Sequence, residues 1–383
     1  MRILIATKRQ YTGRDLLDDC YGRLFEIPKA LAEQGHQVRG LALSYRHRSN
    51  SVPSLTRTGG VHWETMNALP FSPISAIRHL TRLRKICAEF RPDIVWASSD
   101  AWHGIALQAI CHSLKIPCVI DLYDNYESFG LSSAPGVIPL FRRACRLAEG
   151  LTAVSRTLVA YLKSDYALPT GHPVFCLGNA VDTQLFRPID QSTARQQLGL
   201  PVRGTLIGTA GALDASRGIA TLLEAYSRLI KTTPSVRLVL AGPRDNTLQD
   251  FDNLPILDLG IMPPDRTPLF WNALDVAIIS NKDSPFGKYC YPQKLQEIIA
   301  CQTPLVATNI GEVNEILRDF PQSLAELDSP NSLAEQITRQ IQTKSVIPQR
   351  HIRSWGQRAE ELSSFLSQIL KQGRGQHRLA LQR

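Results

Sequence analysis

No run in the 383 residues approaches the roughly 18 consecutive apolar residues of a membrane-spanning helix, so a helical membrane protein is not expected. The opening segment, residues 1–8, is too short an apolar stretch for a signal peptide and lacks a small-residue cleavage site. It reads as a first strand, and the chain is expected in the cytosol. The eight cysteines are scattered, with no C-x-x-C pair and no His/Cys cluster at zinc spacing. That excludes a disulfide framework and leaves no visible metal site. Nucleic-acid binding is not indicated either: the chain is basic, but it has no recognisable binding motif and no aromatic interleaving.

What is present fits a soluble globular protein, with 43% hydrophobic and 20% charged residues. The length suits two domains of ordinary size. The net charge of +9 is unevenly placed. In residues 74–90, Ile74, Ile77, Leu80, Leu83, Ile86 and Phe90 form a helical apolar stripe, while Arg78, Arg82, Arg84 and Lys85 cover much of the rest. Arg142, Arg143 and Arg146 give a second basic helix. Two readings stand for such faces, a solvated core helix and peripheral contact with anionic lipid at the inner face of a membrane.

Along the chain, short apolar strands alternate with amphipathic helices. Residues 2–7, a helix over 23–34 ending at Gly35, and a strand from His36 make one βαβ unit. Strands are expected at 61–64, 93–97, 117–121 and 151–154. Their carboxyl ends fall on the edge where doubly wound sheets bind ligands. That edge collects Gly13, His103, Asp121, Tyr123 and Asp124 as candidate ligand-binding residues, the acids able to bind hydroxyls or take a proton, with a plain turn as the alternative for Gly13 and turn formation or helix capping for the acids. Ser155 reads as a helix cap. Residues 178–188 are turn-rich, and the domain boundary is placed after them, giving domains at 1–190 and 191–352, a closing helix at 353–370 and a basic tail at 371–383 without order.

The second half repeats the alternation. After a strand at 205–209 comes the loop 211–218, where Gly211 lets backbone approach a ligand and Arg217 offers a fork of donors matching phosphate oxygens. A strand over 237–241 ends at Gly242. In residues 289–308, YCYPQKLQEIIACQTPLVAT, Pro292 suits the first turn of a helix, with Leu295, Ile298 and Ile299 at helical spacing and a buried strand following. The free N–H groups at such a helix start favour an anion, and Lys294 adds a full charge. Glu297, one turn on, could accept two sugar hydroxyls. Phosphate at the helix tip with a diol beside it describes a nucleotide; a surface helix with Glu297 solvated is the other reading.

Several segments, in their order and spacing, resemble the large retaining glycosyltransferase family that includes sucrose synthases and bacterial polysaccharide and lipid glycosyltransferases (family 4-like, GT-B fold). They are LAEQGHQV at 31–38, GNAVDTQLFRP at 178–188, the 211–218 loop with its following helix, LVLAGP at 238–243, LGIMP at 259–263 and PQKLQEIIACQTPLVAT at 292–308. The resemblance implies two Rossmann-like doubly wound parallel-sheet domains facing across a cleft, with a nucleotide-sugar donor held by the C-terminal half and a saccharide or lipid-linked acceptor by the N-terminal half. No cofactor or metal is implied. It makes Glu297 the ribose-binding glutamate, Arg217 the basic residue on the diphosphate and Ile261 the position whose backbone meets the base. Gly211, Gly242, Pro292, Lys294 and Leu295 complete the expected donor site, with Arg217, Lys294 and Asp124 as the catalytic candidates. The sequence departs from the family at Tyr289, where a Glu is usual, at Ala212 or Leu213, where an Arg is often found, and at Tyr123, where a His is usual. Asp283 and Lys288 are candidates to replace the missing contacts.

Overall fold

The structure, a computed structural model, describes residues 1–11, 14–46, 54–68, 73–128, 132, 134–251 and 253–381. Gly13 lies outside them. The chain forms two compact units, Met1–Gly178 with Trp355–Arg383, and Asn179–Ser354.

In the first unit the elements are β1 (Arg2–Lys8), the small hairpin β2 (Gln10–Tyr11) and β3 (Arg14–Asp15), α1 (Arg23–Glu33), β4 (Gln37–Ser44), β5 (Ser54–Thr58), β6 (Val61–Asn67), α2 (Pro73–Phe90), β7 (Ile94–Ser98), α3 (Ala101–Leu114), β8 (Cys118–Leu122), α4 (Val137–Leu147), β9 (Gly150–Ala153), α5 (Arg156–Asp165) and β10 (Val174–Cys176). The main sheet runs β10-β9-β8-β7-β1-β4-β6-β5, parallel except for β5. Its central strands are buried along their length because helices cover both faces, which is why they read as continuous apolar runs. The chain leaves β1 toward β4 and returns on the other side at β7, so the topological switch point lies between β1 and β7. The carboxyl ends of β1, β7 and β8 meet there.

The second unit contains α6 (Gln191–Gln197), β11 (Thr205–Ala210), α7 (Ile219–Thr232), β12 (Val236–Ala241), β13 (Ile256–Asp258), α8 (Thr267–Ala273), β14 (Val276–Ile279), α9 (Pro285–Tyr289), α10 (Gln293–Ala300), β15 (Leu305–Thr308), α11 (Gly311–Leu317), β16 (Leu324–Ala325) and α12 (Pro330–Thr343). Its sheet, β13-β12-β11-β14-β15-β16, is wholly parallel. Successive strand residues serve opposite faces. Val239, Ala277 and Leu305 pack into one core with Leu295, Ile298 and Ile299 of α10, while Leu238, Ile278 and Val306 pack into the other with Leu222 and Tyr226 of α7. The switch point here lies between β11 and β14, and the loop after β11 carries Gly211 and Arg217.

The boundary expected at 190/191 falls instead at 178/179. Residues 179–190 are tied to the second unit: Asn179 Nδ2 donates to the Tyr291 carbonyl (2.7 Å), Val181 N to the Arg353 carbonyl (3.0 Å) and Ile189 N to Asn272 Oδ1 (2.8 Å). The closing helix α13 (Trp355–Leu381) belongs to the first unit. Ala359, Leu362, Leu366 and Ile369 recur at helical spacing and are buried, and His36 Nε2 meets Ser363 Oγ at 2.8 Å. The helix runs on to Leu381, so the disordered tail expected from 371 is corrected. Extending a formed helix costs little, which carries it past Gly373 and Gly375, each about 1 kcal/mol less favourable there than alanine. Among the described residues no helix is long and apolar enough to cross a membrane.

Candidate active site

In the second unit the structure brings together the loop after β11 and the start of α10. A Cβ built on Gly211, whose φ is +109°, would lie 3.7 Å from Lys294 Nζ, so that ammonium rests directly against the glycine loop. Gly242 is packed tighter still. Its φ is +134° and a Cβ there would meet the Gly211 carbonyl oxygen at 2.0 Å, so only glycine lets the ends of β11 and β12 close on each other. Gly242 N donates to the Gly260 carbonyl (2.7 Å), which fixes the backbone next to Ile261. Ile261 itself is 74% exposed.

Arg217 is set by a short 3-10 turn. Asp214 caps it, its carboxylate accepting from Ser216 N (3.0 Å) and Arg217 N (3.2 Å), and Ser280 Oγ from the end of β14 donates to the Arg217 carbonyl (3.3 Å). The guanidinium carbon lies 3.8 Å from the centroid of the Phe286 ring. Among the described residues, neither the Arg217 guanidinium nor the Lys294 ammonium makes a hydrogen bond or ion pair. Burial lowers the Lys294 pKa to about 8, and the neighbouring Arg217 charge pushes the same way against Glu297, Cys290 and Asp214. Two cations that act on each other electrostatically, one desolvated and neither in a hydrogen bond or ion pair among the described residues, stand by the glycine loop, an arrangement able to attract a polyanion.

Glu297 sits one turn after Lys294, on the face of α10 opposite Leu295, Ile298 and Ile299. It is 6% exposed, and its Oε2 accepts from the buried Trp271 indole (3.1 Å). Pro292 is the N-cap of α10, one residue outside the helix it was expected to begin. Leu295 is corrected: its side chain lies wholly in the core and its N–H is already used by the Pro292 carbonyl (3.1 Å), leaving nothing for a ligand. Asp283 and Lys288 pair with each other at 2.9 Å on the surface.

Sequence reasoning missed Phe286 and Asn281. Phe286 lies in α9, whose five residues are too few to show a helical period. The available signal was Ser284-Pro285, a cap followed by proline at the first helical position, and Ser284 Oγ indeed accepts from Gly287 N (3.0 Å). Asn281 lies two residues past the end of β14, and its buried Nδ2 has no partner among the described residues.

In the first unit, Tyr123 and Asp124 are half-buried at the carboxyl end of β8, as expected. They are joined by Lys8, which the sequence did not single out: its ammonium stands 5.5 Å from the Tyr123 ring centroid. Burial lowers its pKa, opposed by Asp100 and Asp124. Asp121 is corrected as an acceptor contact. It is fully buried, bound to Arg23 Nη2 (2.9 Å), Ser98 Oγ (2.7 Å) and Thr152 Oγ1 (2.7 Å), and no ligand reaches it. His103 is likewise corrected. Only 5% exposed, it is turned into a cluster in which Asp100 caps α3, accepting from His103 N (2.9 Å), with His103 Nδ1 3.1 Å from the same oxygen and the Tyr45 hydroxyl donating to the other (2.8 Å). Burial opposes Asp100 ionisation, but His103 and Tyr45 outweigh it and hold the carboxyl well below its usual range. Ser155 caps α5, accepting from Leu158 N at 3.0 Å.

The basic helices divide. Arg82 is paired with the buried Glu64, and Arg142 with Glu127 (2.7 Å). Arg78, Arg84, Lys85 and Arg143 are exposed, with Ile77, Leu140 and Leu147 exposed on the same helices.

Residues 23–185 match the family model described as Glycosyltransferase Family 4, and residues 204–343 the one described as Glycosyl transferases group 1. A D-inositol 3-phosphate glycosyltransferase of Acidothermus cellulolyticus is 30% identical over 160 residues, 38% of this chain and 35% of that protein. The chain thus spans about a third of that relative's length. Among solved structures, the sucrose-phosphate synthase of Thermosynechococcus elongatus superposes with a TM-score of 0.72 at 16% identity, covering 99% of both chains. The Anabaena protein HepE, solved in complex with UDP-glucose, gives 0.68 at 17% identity, covering 98% of this chain and 100% of that one. With one family match on each unit and a fold shared along its length, this chain belongs to the family-4-like glycosyltransferases of GT-B fold.

Proposed function

We propose that this protein transfers a sugar from a nucleotide-sugar donor to a hydroxyl of a saccharide or lipid-linked saccharide, with retention, in the synthesis of a cell-surface polysaccharide or glycoconjugate. The observation that carries this reading is a pair of cations, Arg217 and Lys294, that make no hydrogen bond or ion pair among the described residues, with the Lys294 ammonium against the Gly211 backbone at the switch point of the second unit. HepE, of the same fold, was solved with UDP-glucose, which supports a nucleotide sugar as the donor. In this reading Glu297 holds the ribose with the carboxylate that Trp271 orients, the backbone at Ile261 meets the base, and Gly242 keeps the loop close enough for the phosphates.

The bond between the anomeric carbon and the diphosphate oxygen breaks, with its electron pair leaving on the diphosphate. Arg217 and Lys294 stabilise that negative charge, and no metal is called on for it. The acceptor hydroxyl attacks the same face, its oxygen bonding to the anomeric carbon while its proton passes to the departing diphosphate. Tyr123, Asp124 and Lys8 orient the acceptor. The exposed charges of α2 and α4, with their neighbouring apolar side chains, suit peripheral contact with anionic lipid, where a lipid-linked acceptor would be met.

A panel of nucleotide sugars tests the function. One of them is expected to raise the melting temperature, and its labelled sugar is expected to appear on a saccharide or lipid-linked acceptor. Consumption of the donor without acceptor would mean a hydrolase or epimerase. Binding without turnover would mean a non-catalytic partner subunit, a reading that Tyr289 in the place of the usual glutamate keeps specific.

Lys294 also makes donor binding pH-dependent. Its free pKa is about 8, and a diphosphate against the ammonium raises it in the complex. Affinity is therefore level below that value and falls as pH rises through it, by up to about tenfold per unit until the bound pKa is reached. Calorimetry with UDP in buffers of different ionisation enthalpy is expected to show proton uptake at about pH 9 and much less at about pH 7.3, where most of the lysine is charged and the terminal phosphate of UDP, with a second pKa of about 6, is already ionised. Equal proton exchange at both would remove Lys294 from the phosphate site.

A further inference from the structure

We propose that Phe286 is a positioning residue for Arg217, holding the guanidinium flat so that its N–H donors reach the donor diphosphate together; this rests on reading the site as a nucleotide-sugar site. The guanidinium carbon stands 3.8 Å from the ring centroid, a stacking distance. An arginine side chain carries about 2 kcal/mol of rotamer entropy, and something must restrict it if the fork is to be preorganised. A carboxylate would do so by occupying the donors that phosphate needs. Asp214, the nearest acid in the loop, instead spends its carboxylate on the backbone and hydroxyl of its own turn. The ring attracts the cation through its quadrupole and leaves all five N–H groups unused.

Phe286 is itself well fixed. Ser284 caps α9, Pro285 presets its first turn and the Phe286 carbonyl accepts from Cys290 N at 2.9 Å. Next to it, a Cβ on Gly287 would meet the Lys282 carbonyl oxygen at 2.2 Å, so the backbone there has one close-packed path. The backbone that carries the ring is thus fixed, on an element distant in sequence from the loop it serves.

The test is a calorimetric double-mutant cycle on the full chain with UDP as probe, and ADP and GDP if UDP does not bind. Phe286→Leu is expected to weaken binding about tenfold, with Phe286→Tyr, which keeps the ring, within about twofold of wild type. In an Arg217→Ala background the Phe286→Leu loss is expected to vanish, because nothing is left to support. An equal loss with and without Arg217, or no loss in Phe286→Leu, overturns the proposal while leaving the donor site standing. Failure of the wild type to bind any of the three overturns both. Should Phe286→Leu not fold, the same cycle is run with Phe286→Met.

Discussion

Arg217→Ala is expected to slow sugar transfer by about 10²- to 10³-fold, the usual loss when one charged or hydrogen-bonding group is taken from a developing negative charge in a water-poor site. The effect should fall on turnover more than on folding. The guanidinium makes no hydrogen bond or ion pair within the described residues, so its removal strands no partner. Lys294→Ala should cost a similar factor in turnover and, where Arg217→Ala leaves stability about unchanged, should raise that of the free protein, because the desolvated ammonium with its pKa near 8 is held there at a cost. Steady-state rates read beside melting temperatures separate the two. A loss under about tenfold for Arg217→Ala at unchanged stability would mean that the leaving group is stabilised elsewhere.

Asp121→Ala has the largest expected effect on stability, about 3–5 kcal/mol, because it leaves the Arg23 charge buried with no counterion. Both side chains are fully buried, and among the described residues the guanidinium's other hydrogen bond is Nη1 to the Leu177 carbonyl at 3.0 Å. The pair joins the first residue of α1 to the end of β8 and to the chain just past β10, so its loss loosens three elements at once. A urea midpoint measures it. The double replacement Arg23→Met with Asp121→Ala is expected to recover much of the loss, since no unpaired charge remains. If the single replacement cost less than about 1 kcal/mol, Asp121 would not be a structural residue.

That residue also shows where the sequence stopped being readable. Asp121 stands at a strand's carboxyl end among other polar residues, the pattern of a ligand site, and its partner Arg23 lies 98 residues away in the chain. No local period or spacing announces such a pair. The strands β1, β7, β8, β11, β12, β14 and β15 were legible because parallel strands with both faces covered are short unbroken apolar runs. The helices α1, α7 and α10 were legible from their apolar period. Glycines whose role is to let backbones touch, Gly211 and Gly242, were legible because they end strands. Lys8 and Phe286 were not, since each acts through a side chain that meets its partner only in the folded chain. The boundary expected at 190/191 falls at 178/179 for the same reason: residues 179–190 look like a linker, and hydrogen bonds to Tyr291, Arg353 and Asn272 attach them to the second unit.

The claim on which the account turns is that Arg217 and Lys294 grip a diphosphate. Titrating the wild type with UDP and with UMP at neutral pH tests it directly, because the two ligands differ by one phosphate. UDP is expected to bind at least about 100-fold more tightly than UMP, with that ratio shrinking to about tenfold or less in Arg217→Ala. Equal affinity for the two nucleotides in the wild type, or a ratio untouched by Arg217→Ala, would contradict it.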